Sequence, residues 1–454
     1  VNGKGEIMTF ETKGKENNGA TYGRRSDWQD LYSIAKKYYE ALLADPGNAQ
    51  FHLTDPRGAS DKSGRTFNNP YQYFFEQMHM DDAIYADESI YEYPMQQGGG
   101  NDGRPYSFGR PSSGGSKAAY PCKSYGQGRI NPAYFYGVFD PNDMRRDVSI
   151  TMTGSNGKGV EKLIPFVPNS KAEGGGLTLN KWDENRQANP WVAAQRKSGI
   201  NGPYMRMSEV YLGYAEVCAA LGDVVTGKQY LKTVRERSFP QGLANTDAFI
   251  ASFGNDLVRA IIEERGFEYA GEGDRRWTLI RSGYLPEDIK RIKDMTKAMM
   301  DGLATKGYYE FENGNIISAY IWTKLVDAKT IYGHRLTAQC PTDKVNDPVL
   351  YPGWRGQKDN WEEMGLNYGS STPATNLAIK GLFEIVSEEE AASLESQGYA
   401  KVNWGIDLVD YRDEYDKYLF WDYDYVSAPI YLWPFTPNVM AAGGFTNGYG
   451  FKQE

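Results

Sequence analysis

The stretch from Tyr204 to Gly283 constrains this chain more than any other. It reads YMRMSEVYLGYAEVCAALGD, then KQYLKTVRERSF, then DLVRAIIEERGFEYAGEGDRRWTLIRSG. Apolar residues recur at helical spacing, which predicts three helical segments with short connections. In the first, Val210, Tyr211, Tyr214, Ala215 and Cys218 form one face. On the neighbouring stripe Met205, Glu209, Leu212 and Glu216 recur in the same way, so two carboxylates stand among apolar residues. In the third, Val258, Ile261, Ile262 and Tyr269 make the stripe and Arg265 falls in its middle. A guanidinium placed there is at least partly buried and needs a carboxylate. Glu268, Glu272 and Glu209 are the candidates.

Two readings of this charge set compete. A glycoside hydrolase would use two of Glu209, Glu216, Glu264 and Glu268 as acid and base, ~5–10 Å apart in an open cleft. The alternative is a structural ion-pair network of Glu209, Glu216, Glu264, Arg265, Glu268, Glu272 and Arg276. Acids on packed helices more often tie the helices together than catalyse, so the network is the expectation.

The same residues carry a family resemblance. The run RMSEVYLGYAEVCAALGD, a second helix ending VRER, and IIEERGFEYAGEGDRRWTLIRSG together resemble the signature of the SusD/RagB family. Arg206, Glu209, Ala215, Glu216, Glu264, Arg265, Glu268, Glu272, Gly273, Arg276, Leu279 and Arg281 fit its pattern. Thr278 departs, standing where the family usually has an aspartate, which puts one helix-end contact in question. The resemblance implies a mainly α fold with small β content, built on tetratricopeptide-like helical pairs with long aromatic-rich loops and short hairpins. It covers nearly the whole chain, 1–454, as a single SusD-like domain.

Composition narrows the partners. The formal charge of −9 and the lack of a basic stripe argue against a nucleic-acid binder. Aromatics make up 14% of the chain, with 34 tyrosines and 10 tryptophans, which suits stacking on carbohydrate or a large protein interface. Cys122, Cys218 and Cys340 are too scattered for a disulfide framework or a zinc site, and His52, His79 and His334 are isolated. No metal and no cofactor is called for. No apolar run approaches the ~20 residues of a membrane span. VNGKGEIMTF is neither a signal peptide nor a lipidated start, whereas the family resemblance implies a secreted lipoprotein with further helix pairs upstream. The expectation is therefore the C-terminal portion of a longer polypeptide, whose lipid anchor lies on a missing N-terminus at the outer-membrane surface of a Gram-negative bacterium; a shorter, divergent member of the family is the alternative.

Along the chain, residues 26–45 predict a helix with Ser26 as N-cap and Pro46-Gly47 as stop, resembling the second helix of a tetratricopeptide-like pair. Residues 68–200 read as a loop-rich ligand side. Within them NNPYQYFFEQMH suggests a short helix, DESIYEY resembles the family's short strand that follows it, VSITMTG alternates like a strand, and residues 96–130 are a long surface loop by composition. In FDPNDMRRD, Asp140 and Pro141 start a turn. A calcium loop using Asp140, Asn142 and Asp143 is the alternative, although it lacks the glycine and distal glutamate of the EF-hand. Residues 204–283 hold the last helical pair, and 284–454 hold helices, a hairpin and the C-terminal segment. There LPEDIKRIKDMTKAMMDG predicts a helix, Asn313-Gly314 a hairpin turn, and Ser387 with Glu390 a capping box closed by Gly398. LWPFTPNVM and TNGYGF resemble the family's ending, with Phe435 in place of an isoleucine and Asn447-Gly448-Tyr449 without the proline.

By resemblance, the function is a non-catalytic, cell-surface glycan-binding protein that delivers oligosaccharide to a SusC-like TonB-dependent transporter. A peptide-binding member of the same family is the alternative, and the hydrolase stands behind it. A scaffold with no small ligand would leave every aromatic in a core or interface. The ligand candidates are the loop-side aromatics Tyr106, Tyr134, Tyr136, Trp182 and Trp191, with Tyr91, Tyr93 and Phe108 beside them. Trp182 and Trp191 are interleaved with Asn185, Arg186 and Asn189, which offers ring faces for sugar C–H groups and forked donors for hydroxyls.

Overall fold

A computed structural model describes residues 10–15, 21–56, 69–79, 85–101, 103–113, 123–156, 160–169, 174–184, 187, 191, 193–327, 375–419, 435–444 and 446. Cys122, Asn185, Arg186, Asn189, His334, Cys340, Trp354, Trp361, Asn447, Gly448 and Tyr449 lie outside the described residues.

A hairpin of β1 (Phe10–Lys15) and β2 (Thr21–Arg25) leads into α1 (Trp28–Ala44). Asp27, not Ser26, stands at the N-cap, and its side chain makes no cap bond. Arg25 holds that carboxylate instead, through Nε at 2.8 Å and Nη2 at 2.7 Å. Next, α2 (Pro70–Gln77) buries Tyr71, Phe74 and Phe75, and β3 (Ser89–Tyr93) follows. Residues 96–130 are not simply a loop. They contain α3 (Gly103–Phe108), where Pro105 and Tyr106 are buried, and the strands β4 (Ser112–Ser113) and β5 (Lys123–Ser124).

A π-helical turn at Tyr134–Val138 precedes α4 (Arg145–Ser149), so VSITMTG is not one strand. Val148 and Ser149 end the helix, β6 (Ile150–Thr151) pairs with β9 (Thr178–Leu179), and β7 (Thr153–Ser155) pairs with β8 (Glu161–Leu163). Then β10 (Gly202–Arg206) pairs antiparallel with β3. Tyr204, Met205 and Arg206 are thus strand, and the helix predicted from Tyr204 starts at Met207.

The helical core comprises α5 (Met207–Ala220), α6 (Val224–Glu236), α7 (Thr246–Ala251), α8 (Leu257–Glu268), α9 (Asp274–Ser282) and α10 (Leu285–Lys306). The third predicted segment divides at Gly271 and Gly273, whose φ of +82° and +94° break the helix between α8 and α9. A hairpin, β11 (Tyr308–Glu310) and β12 (Ile316–Ser318), turns at Gly314 with φ +82°. It leads to a three-stranded sheet with β13 (Tyr320–Asp327) between β14 (Thr375–Lys380) and β15 (Ala400–Asn403). Helix α11 (Glu388–Ser396) has the expected cap, Ser387 Oγ accepting from Glu390 N at 3.2 Å. Short helices α12 (Gly405–Asp410), α13 (Arg412–Leu419) and α14 (Pro437–Gly443) follow. The fold is mainly α with small β content. No described helix is long and apolar enough to cross a membrane.

Helix α8 joins the parts. Ala260 and Ile261 enter one core with Leu212 and Ala215 of α5 and Leu231 and Val234 of α6. Ile262 packs with Leu279 of α9, and Phe267 enters a second core with Phe135, Tyr136, Met299 and Trp404. A helix covered on several sides cannot send its charges to water, so each of them must find a partner inside.

Candidate functional site

Alternation along β3 puts Tyr91 and Tyr93 on one face and Glu92 on the other. The tyrosines are 52% and 47% exposed, whereas Glu92 is buried. Its carboxylate accepts from Ala86 N at 2.9 Å, Ser89 Oγ at 2.5 Å and Asn201 Nδ2 at 2.9 Å, which ties the strand down. Across the pair, Pro203 faces Glu92 and Met205 faces Tyr91, so Tyr204 is the extra residue of a β-bulge. Such a bulge re-aims a side chain, and here it brings Tyr204 to the two tyrosines. Tyr204 is 68% exposed; its ring centre lies 5.6 Å from that of Tyr91 and 5.3 Å from that of Tyr93, at 87° and 85°. The outcome is a contiguous patch of three exposed rings meeting edge to face.

Arg104 of α3 borders this patch, its guanidinium 5.8 Å from the ring centres of both Tyr93 and Trp182. The approach depends on Gly202, where an added Cβ would lie 1.9 Å from Arg104 Nη1. Trp191 is half-buried and lies over Gly98, whose Cβ would come within 2.8 Å of the indole. Phe108 is 48% exposed.

The other aromatic candidates lie inside. Tyr136 is fully buried and accepts from Trp404 Nε1 at 2.8 Å. Trp182 packs with Leu179 and Ile200 and is 2% exposed. Tyr106 is buried with its hydroxyl donating to Gln195 Oε1 at 3.1 Å, under the Arg196 guanidinium. Tyr134 is half-buried, its hydroxyl donating to Gly266 O at 2.8 Å. None of these four presents an open ring face here. Tyr204, the most exposed ring of the patch, went unnoticed because its segment reads as the start of a helix.

Asp143 does not join a cation loop. Arg145 takes it with Nε at 2.9 Å and Nη2 at 2.7 Å, while Asp140 closes its own turn by accepting from Asn142 N at 2.8 Å. Among the described residues, no group of three His, Cys, Asp or Glu side chains is placed to hold a metal ion. His79 is buried between Phe75 O and Asp183 N, at 2.6 and 3.0 Å.

The model of the SusD family matches residues 50–435. This chain belongs to the SusD family. Among relatives of this SusD-family protein, a SusD-like protein of Formosa agariphila is 28% identical over 160 residues, covering 35% of this chain and 26% of the relative. A SusD homologue of Bacteroides thetaiotaomicron, 17% identical, aligns over 61% of this chain and 56% of its own with a TM-score of 0.40. Surface glycan-binding protein A of the same organism, solved with laminarihexaose, is 19% identical over 57% of this chain and 52% of its own, with a TM-score of 0.38. The matches thus span about a quarter of the curated relative and about half of these solved chains.

In this SusD-family chain the charged signature residues meet one another. Arg206 reaches Glu268 at 2.5 Å, Glu272 at 3.0 Å and Glu88 at 2.9 Å. Glu264 pairs with Arg235 at 2.9 Å and Arg145 at 2.7 Å, and Glu268 also takes Arg237 at 2.5 Å. Lys181 lies 2.6 Å from Glu272. Burial pushes its ammonium down to about 8, against the pull of Glu272. Burial by itself would raise the Glu268 carboxyl, but Arg237, Arg206 and Arg145 together hold it well below its ordinary 4.5.

Arg265 pairs with neither Glu268 nor Glu272, because both belong to the Arg206 cluster. Its Nη2 bonds Glu209 and Asp274, each at 2.6 Å. Thr278 keeps the helix-end contact in question, accepting from Arg265 Nε at 3.2 Å and donating to Asp274 Oδ2 at 2.9 Å. Arg276 is half-buried on α9, and its neighbour Arg275 bonds Glu263 at 2.9 Å and Asp288 at 3.0 Å. A hydrolase needs a carboxylic acid open to substrate. Glu264 and Glu268 are fully buried among guanidiniums, Glu209 is held by Arg265, and Glu216 is gripped by Arg281 at 2.5 and 2.7 Å.

Proposed function

We propose that this protein is a non-catalytic glycan-binding protein of a cell-surface nutrient-uptake system, and that the Tyr91–Tyr93–Tyr204 patch is its sugar platform. The observation that carries the reading is the contiguous exposure of these three rings on a bulged strand pair. A single exposed aromatic is ordinary, whereas a contiguous apolar patch on a protein surface marks a binding site. Tyrosine suits carbohydrate because the ring face takes sugar C–H groups while the hydroxyl exchanges hydrogen bonds with sugar hydroxyls. Arg104, its guanidinium 5.8 Å from the Tyr93 ring centre, extends the platform. Trp182 backs Arg104 from within, 5.8 Å from its guanidinium, whereas Tyr134 and Tyr136 belong to the core around Trp404.

Family membership supports the wider role of delivering oligosaccharide to a SusC-like TonB-dependent transporter in the outer membrane, with a lipid anchor holding the protein at the surface. Binding here comes from stacking and hydrogen bonds, with no bond made or broken. A glycan and peptide binding screen tests the ligand class. Retention of one or more glycans, with no new reducing ends on prolonged incubation, is the expected result. Peptide retention alone would move the protein to the peptide-binding reading, and glycan cleavage would make it an enzyme.

A further inference from the structure

We infer that the cavity between α1, α5, α8 and α9 is a second binding site, for a small neutral molecule rich in hydroxyls, of about monosaccharide to disaccharide size. The cavity measures about 350 Å³, within the ~300–1,000 Å³ range of small-molecule sites. It lies on helices that contribute nothing to the tyrosine platform.

Its floor offers paired donor and acceptor groups. Arg265 lines the cavity with its side chain only 4% exposed. Nε and Nη2 of Arg265 are engaged by Thr278, Glu209 and Asp274, while Nη1 is buried with no hydrogen-bond partner among the described residues. Glu209 uses Oε2 for that pair and keeps Oε1 for a donor. The phenol of Tyr39 lies across α5 at Gly213, where a Cβ would sit 2.3 Å from its hydroxyl oxygen. Side walls come from Trp28 and Tyr32, whose rings meet at 86° with centres 5.5 Å apart.

Charge selects the ligand. The carboxylates of Glu209, Glu216 and Asp274 outnumber the guanidiniums of Arg265 and Arg281 three to two. An anion would add another negative group around an Arg265 that already serves two. A cation would leave Nη1 without an acceptor and would face both guanidiniums. A hydroxyl meets both needs: its oxygen accepts from Arg265 Nη1 and its proton goes to Glu209 Oε1. One water would satisfy Nη1, but it needs neither this volume nor two ring walls.

The test is titration calorimetry with glucose, galactose and xylose, each beside the charged probes glucuronate and glucosamine. It is run on the Tyr204→Ala protein, so that the platform does not contribute. Ala35→Phe fills the cavity from α1, and Trp28→Ala removes a wall; a melting curve for each checks the fold. The expected result is one-to-one binding of at least one neutral sugar. That binding falls about tenfold or more in both variants, and the charged probes bind about tenfold more weakly. The inference is overturned by no heat from any neutral sugar, by binding that both folded variants retain, or by tighter binding of glucuronate or glucosamine.

Discussion

Replacing Glu268 with Gln tests the idea that signature charges lock the helices. Glu268 is fully buried and serves three guanidiniums: Arg206 and Arg237 each at 2.5 Å on Oε1, and Arg145 at 3.1 Å on Oε2. The surrounding cluster sets Arg145, Lys181, Arg206, Arg235 and Arg237 against Asp143, Glu88, Glu264, Glu268 and Glu272, five charges of each sign. Glutamine keeps the shape but leaves one positive charge uncompensated and turns an amide donor toward guanidinium donors. Removing one partner of a buried pair costs about 3–5 kcal/mol. With a urea slope of about 3 kcal/mol per molar, the unfolding midpoint should fall by about 1 M or more.

The dependence on pH adds a second reading of the same variant. The folded carboxyl titrates below its ordinary 4.5, so as pH falls through 4.5 the unfolded chain takes the proton first. The stabilisation is therefore full above that value and is lost as the solution becomes more acidic. In Glu268→Gln this contribution is absent, so the gap between the two proteins should stay constant well above 4.5 and narrow as pH falls through and below that value. A gap under about 1 kcal/mol at pH 7, or one that does not change with pH, would refute the reasoning.

Trp182→Ala should cost about 3–5 kcal/mol in a denaturant melt, because it empties a packed site; unchanged melting with weakened glycan retention would place the indole at the surface instead. Gly213→Ala should lose about 1–3 kcal/mol although alanine favours helix, since its Cβ displaces Tyr39 and with it the α1–α5 contact. Hydrogen exchange should quicken along α1, and unaltered exchange would contradict this. Asn313→Ala should lose about 1–3 kcal/mol, because its amide nitrogen donates at 2.8 Å to both Tyr136 O and Phe139 O. A midpoint equal to wild type would show that water replaces it.

Local features were legible in the sequence where their causes are local. The α5 and α6 stripes, the proline near the start of α10, the Ser387 cap and the Gly314 turn all depend on residues within a few positions of one another. Tyr204, Met205 and Arg206 mislead because their strand state comes from pairing with β3, more than a hundred residues upstream. That same pairing builds the tyrosine patch, so its most exposed member was hidden. Helical spacing placed Arg265 inside, but it could not choose between carboxylates on different helices, and Asp274 on α9 was missed. Composition marked the aromatics without distinguishing rings that fill a core, such as Trp182 and Tyr136, from rings that face water, such as Tyr93.

The most direct test of the central claim compares wild type with the triple variant Tyr91→Ala, Tyr93→Ala, Tyr204→Ala by affinity electrophoresis across a panel of polysaccharides. Each lost ring should weaken binding by about tenfold, so the triple variant should migrate as freely in the glycan gel as in a blank gel while melting as wild type does. A triple variant that is retarded by the same glycan as strongly as wild type would contradict the account.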